Sequence, residues 1–132
     1  MAAPCIIVAE DDSDLRELIA RALERSGFRV IECANGADLL VQIEPFLSGE
    51  GLDVQGVVTD IRMPGVTGLS VLEGIYALGG ELPVFVMTAF GSPETHARAT
   101  ELGAVCVLDK PFDIAELVAI VTRTVRSNRD AC

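Results

Sequence analysis

The chain has 132 residues, half of them hydrophobic and only 5% aromatic, which suits one globular domain with a single sizeable core rather than a disordered segment. Its formal net charge of -10 opposes phosphate backbones and anionic lipids, so direct binding to nucleic acid or membrane is not expected; the same surplus of carboxylates suits a divalent cation. The start, MAAPCIIVAEDD, lacks the basic segment of a signal peptide, and no apolar stretch reaches the roughly 20 residues of a membrane span, so the expected location is the cytoplasm.

Short apolar runs alternate with helical periodicity five times. CIIVA, Cys5 to Ala9, reads as a first strand. In the helix that follows, Leu15, Leu18, Ile19, Ala22 and Leu23 fall on one stripe; Asp12 or Ser13 caps its start and Gly27 suits its end. FRVIEC, Phe28 to Cys33, is a second strand. Asn35 caps a helix carrying Leu39, Leu40, Ile43 and Leu47, which Pro45 should kink or end. A polar, Gly-rich loop leads to GVVTD, Gly56 to Asp60, the third strand. Leu69, Leu72 and Tyr76 mark a third helix, closed by Gly79 and Gly80. LPVFVMT, Leu82 to Thr88, is the fourth strand, and Ser92-Pro93 opens a fourth helix that Gly103 ends. AVCVL, Ala104 to Leu108, is the fifth strand. Asp113 and Glu116 then form a capping-box pattern before a helix bearing Leu117, Val118, Val121 and Val125. RSNRDAC reads as a short polar tail.

Strands that are apolar throughout, rather than alternately, are buried on both faces. The expected fold is therefore α/β: a doubly wound, five-stranded parallel sheet, (βα)5, with helices on both sides. Residues 1–132 are expected to be a single domain with a core from about 5 to 126. Cys5, Cys33 and Cys106 lie in strand-like runs and read as small buried hydrophobes, whereas Cys132 is terminal and expected to be exposed.

Ligands of a doubly wound sheet sit beyond the carboxyl ends of its strands. The first strand delivers Glu10, Asp11 and Asp12 there, the third Asp60, the fourth Thr88, and the fifth Lys110 followed by Pro111. The second offers only Ala34 and Asn35. In the order 2-1-3-4-5 the four chemically equipped strands are contiguous. Clustered carboxylates suit Mg2+, Thr88 can donate to a phosphoryl oxygen, and Lys110 can pair with one, so the set fits phosphoryl transfer onto the Asp60 carboxylate. The lone His96 reads as an exposed residue of the fourth helix.

The stretches VAEDDSDLR, VVTDIRMPGVTGL, VFVMTA and LDKPF closely resemble the receiver domain of two-component response regulators, a flavodoxin-like fold, over about Cys5 to Val125. The resemblance implies Asp60 as phosphoacceptor and Mg2+ held by Glu10, Asp11, Asp60 and the backbone carbonyl of Arg62. It also implies Thr88 as switch hydroxyl, Lys110 as phosphate sensor and a cis Lys110–Pro111 bond. Phe90, with Arg62, would stand beside the path of hydrolytic water and slow dephosphorylation. Val107 departs from the family, which often carries an aromatic toggle there. The implied function is a phosphoacceptor switch in a phosphorelay rather than an enzyme in the ordinary sense. It would take its phosphoryl group from a sensor histidine kinase or phosphotransfer protein and act on a downstream protein effector. The alternatives are a degenerate receiver serving only as a binding module, or an aspartyl-phosphate hydrolase. The second is disfavoured because Arg62 stands where haloacid-dehalogenase-like phosphatases carry a second aspartate.

Overall fold

The computed structural model describes residues 3–50, 53–63, 66–79, 81–89 and 91–130. Chain order is β1 (Cys5–Ala9), α1 (Ser13–Arg25), β2 (Arg29–Cys33), α2 (Gly36–Leu47), β3 (Gly56–Asp60), α3 (Gly68–Ala77), β4 (Val84–Thr88), α4 (Pro93–Glu101), β5 (Cys106–Asp109) and α5 (Ile114–Asp130). The strands pair in parallel in the order β2-β1-β3-β4-β5, as the strand-end chemistry predicts. The three inner strands are buried at every position, and the edge strands β2 and β5 are partly exposed.

Side-chain alternation divides the inner strands between two cores. Ile7, Ala9, Val57, Val84 and Val86 face α2, α3 and α4 through Leu39, Ile43, Leu72, Ile75 and Ala99. Ile6, Val8, Val58, Phe85 and Met87 face α1 and α5 through Ile19, Leu23, Leu117, Val121 and Val125. Each such large side chain removed from water stabilises the fold by about 1.5–3 kcal/mol. This two-sided burial makes the sheet the stiff part of the molecule and its strand ends well-defined positions.

Local signals set most boundaries. Asp12, not Ser13, caps α1, its Oδ1 accepting the Asp14 and Leu15 N–H groups at 3.0 and 3.3 Å. Gly27 ends that helix with φ +98°, a conformation costly for any residue with a Cβ. Ser92 Oγ accepts the Thr95 N–H at 3.1 Å at the start of α4. Asp113 precedes α5, with Oδ1 accepting the Ala115 N–H at 2.9 Å.

Several expectations are corrected. Pro45 does not end α2, which continues to Leu47; lying in the last turn it removes one donor, while the Ser48, Gly49 and Glu50 N–H groups close that turn on the Glu44, Phe46 and Pro45 carbonyls. Leu18, 57% exposed, and Tyr76, 53% exposed, fall off the buried stripes, which run instead through Ile19, Ala20 and Leu23 on α1 and Val71, Leu72 and Ile75 on α3. Leu40 is likewise on the exposed side of α2. The polar tail is helical as far as Asp130, because the α5 ladder propagates past its last apolar contact. β2 and β4 start later than their apolar runs, and β5 is displaced towards Asp109. No helix among the described residues is long and apolar enough to cross a membrane. Cys132 and Phe90 lie outside the described residues.

Candidate functional site at the carboxyl ends of the strands

Asp60 is the last residue of β3 and only 4% exposed. Its Oδ1 accepts the Arg62 N–H at 3.0 Å, so the turn leaving the strand orients the carboxylate. Gly68 lets α3 start directly above it: a Cβ there would lie 2.3 Å from the Asp60 carbonyl oxygen. Glu10, one residue beyond β1, is fully buried. Its N–H donates to the Cys33 carbonyl at 3.0 Å, and its Oε2 accepts the Asp12 N–H at 3.0 Å. Arg16 of α1 donates from Nη1 to the Glu10 carbonyl oxygen at 2.8 Å and from Nε to Glu32 Oε1 at 3.2 Å. The D-L-R motif thus has a structural job invisible in the sequence, that of tethering the acidic loop.

Lys110 joins the two buried acids. Its Nζ lies 2.5 Å from both Glu10 Oε1 and Asp60 Oδ2. Its N–H donates to the Thr88 carbonyl at 2.8 Å, and the Lys110–Pro111 bond is cis, as the resemblance implies. Burial alone would lower the lysine pKa, but its hydrogen bonds and attraction to Asp60 and Glu10 prevail and raise it, so the ammonium is charged at neutral pH. Burial raises the Glu10 pKa, with Lys110 opposing the shift.

Glu10, Asp11 and Asp60 can each turn one carboxylate oxygen to within 4.8 Å of the others. Two of these residues are buried and Asp11 faces solvent. Three carboxylates against one ammonium leave two negative charges uncompensated, and all the donors are oxygens. This set fits a hard divalent cation such as Mg2+.

Thr88, at the end of β4, is buried beside this group and opposite Asp109 in the β4–β5 register. Arg62 contributes backbone to the site while the residue is exposed overall. Val107 is half-buried and packs against the α2–α3–α4 core, a short β-branched side chain where the family often carries an aromatic ring. His96 is a partial correction: its side chain is 34% exposed, and Nε2 lies 2.8 Å from Asp109 Oδ1. No sequence signal announced this partner, because the two residues sit on separate elements.

A cleft of about 350 Å³ opens beside Lys110, between Asp12 and Leu15 on one wall and Pro111, Phe112 and Ile114 on the other. A cavity of about 250 Å³ bordered by Val54, Leu82, Pro83 and Val125 lies at the opposite ends of the strands, remote from the carboxylates. The chemistry belongs to the first end.

The family model of the response regulator receiver domain matches residues 6–122. The chain belongs to the response regulator receiver family. This receiver domain is similar to the transcriptional regulatory protein FixJ of Azorhizobium caulinodans, 40% identical over 114 residues that cover 86% of this chain and 51% of FixJ. It is similar to the DNA-binding transcriptional regulator NtrC of Escherichia coli, 39% identical over 118 residues that cover 89% of this chain and 24% of NtrC. Among solved structures, the HemR receiver domain from Leptospira biflexa aligns with TM-score 0.80 at 28% identity, over 92% of this chain and 94% of that one. A receiver domain of a Francisella response regulator aligns with TM-score 0.81 at 26% identity, over 95% and 98%. The chain spans about half the length of FixJ and a quarter of NtrC, so the DNA binding and transcription in those names describe the longer relatives.

Proposed function

We propose that this receiver domain is the phosphoacceptor switch of a two-component phosphorelay, taking a phosphoryl group from a phosphohistidine onto Asp60. One juxtaposition carries the reading: a buried strand-end carboxylate lies within hydrogen-bond reach of Lys110 and close to two further acids. An Asp60 oxygen attacks phosphorus, the P–N bond of the donor breaks, and its electron pair leaves on the imidazole nitrogen, which takes up a proton. Glu10, Asp11, Asp60 and the Arg62 carbonyl would hold Mg2+. Bound there, Mg2+ lessens the repulsion between anionic Asp60 and the incoming phosphoryl oxygens.

The residues of the chain do the rest. Lys110, already bridging Glu10 and Asp60, exchanges its Asp60 contact for a phosphoryl oxygen. The Thr88 hydroxyl donates to another. With Val107 unable to act as an aromatic toggle, the change leaves the site through the backbone that follows Thr88. The donor is a sensor histidine kinase or phosphotransfer protein in the cytoplasm, and the output is contact with a protein effector. The degenerate-receiver reading is disfavoured, since such domains usually lose an acid, the acceptor or the lysine, and this chain carries Glu10, Asp11, Asp60 and Lys110.

Intact-mass measurement after incubation with Mg2+ and acetyl phosphate tests the proposal. Wild type should gain one phosphoryl group and Asp60→Asn none, because the amide keeps the shape but not the anionic nucleophile. Labelling of Asp60→Asn at the wild-type rate would overturn it.

A further inference from the structure

One contact beside the site is not used by the phosphoacceptor chemistry. His96 of α4 sets its Nε2 2.8 Å from Oδ1 of Asp109, the last residue of β5. Asp109 directly precedes Lys110, and it lies opposite Thr88 in the strand register. The Lys110 N–H donates to the Thr88 carbonyl oxygen at 2.8 Å. A single carboxylate therefore stands between the imidazole and the backbone that presents two groups of the site.

Gly91 seats the start of α4 on the same pair. A Cβ at Gly91 would lie 2.2 Å from Asp109 Oδ1, 2.6 Å from His96 Nε2 and 2.9 Å from Thr88 Cγ2. Only a residue without a side chain can fill that corner while the pair is closed. The imidazole is itself held on a regular element. The His96 N–H donates to the Ser92 carbonyl at 3.0 Å, and Thr100 Oγ1 donates to the His96 carbonyl at 2.9 Å. A group carried on a hydrogen-bonded helix fixes its partner more tightly than one carried on a loop. The bond can form with the imidazole neutral, donating from Nε2–H, or protonated.

We propose that His96 is a positioning residue for phosphoryl transfer: by holding Asp109 it fixes the end of β5 and the seat of Gly91, and so the placement of Lys110 and Thr88. The inference rests on the roles proposed for those two residues. It also gives the domain a polar tie from α4 to the site, where Val107 supplies no aromatic lever.

The test combines labelling rates with spectra of unphosphorylated protein. His96→Ala should slow labelling by acetyl phosphate about threefold to tenfold, the worth of one hydrogen bond. His96→Gln, which keeps an N–H donor of similar reach, should restore most of the rate. Asp109→Ala should match His96→Ala, and the double variant should be no slower than either single one, because both remove the same contact. Gly91→Ala, whose added Cβ would crowd Asp109 Oδ1, His96 Nε2 and Thr88 Cγ2 at once, should slow labelling at least as much as His96→Ala. Amide resonances of Lys110 and Thr88 should shift in His96→Ala and return towards wild type in His96→Gln. Wild-type rates and unshifted amides in His96→Ala, or single effects that multiply in the double variant, would overturn the inference. Absence of labelling in wild type would instead overturn the proposed function, and the amide shifts would still decide the positioning role.

Discussion

Glu10 is wholly buried, and what makes its burial tolerable is the Lys110 ammonium at one oxygen and the Asp12 N–H at the other. Removing the lysine strands two buried carboxylates, which in such settings costs about 3–5 kcal/mol. Lys110→Ala should therefore lower metal-free stability by about 2–4 kcal/mol, a range reduced for the partial exposure of the lysine and read from urea unfolding at neutral pH. Acetyl phosphate should still label it measurably, but its amide spectrum should no longer shift as wild type does. A second consequence concerns thiols. Burial pushes Cys33 and Cys106 from 9.0 up to about 11. In both, the folded state keeps its proton where the unfolded chain has lost it. Their contribution to stability is therefore complete below pH 9.0 and is lost as pH rises through about 11. Replacing both with Ala should flatten the fall in urea midpoint across that window. An equally steep fall in the double variant would exclude them as its source.

At the scale of the element, α1 shows how a stripe can be misjudged. Its apolar residues continue onto the solvent side, and Leu18 is left out while Ile19 and Leu23 carry the contact with the sheet and α5. Leu23→Ala should cost about 2–5 kcal/mol, whereas Leu18→Ala should stay within about 0.5 kcal/mol of wild type. Comparable losses would mean that Leu18 is buried in the folded protein. The same physics separates Tyr76, exposed at the end of α3, from Ile75 one position earlier. Adjacent residues lie about 100° apart around a helix, so one step exchanges core for solvent.

For the molecule as a whole, the site concentrates negative charge in a protein already at -10. A cation that binds only the folded form raises stability by mass action, about 2.7 kcal/mol when present at a hundred times its dissociation constant. Mg2+ should raise the thermal midpoint of wild type and leave Asp11→Ala nearly unmoved. Without Mg2+, Asp11→Ala should be at least as stable as wild type, because fewer like charges crowd the strand ends. A metal-free Asp11→Ala clearly less stable than wild type would show that repulsion is not the dominant effect at Asp11.

The order of elements, the parallel sheet and the gathering of Glu10, Asp11, Asp60, Thr88 and Lys110 were legible in the sequence. Five apolar runs separated by capped, periodic segments admit few other arrangements, and a parallel sheet brings all strand ends to one side. Tertiary structure decided what depends on contacts between elements. It left Leu18 and Tyr76 outside the core, carried α2 past Pro45 to Leu47, tethered the acidic loop through Arg16, and closed His96 onto Asp109. Periodicity reports which residues can share a face, but not how far the neighbouring helix or strand extends to cover it. A polar pair spanning two elements leaves no repeat or spacing in the chain, since the distance it closes is set by the packing of the whole sheet.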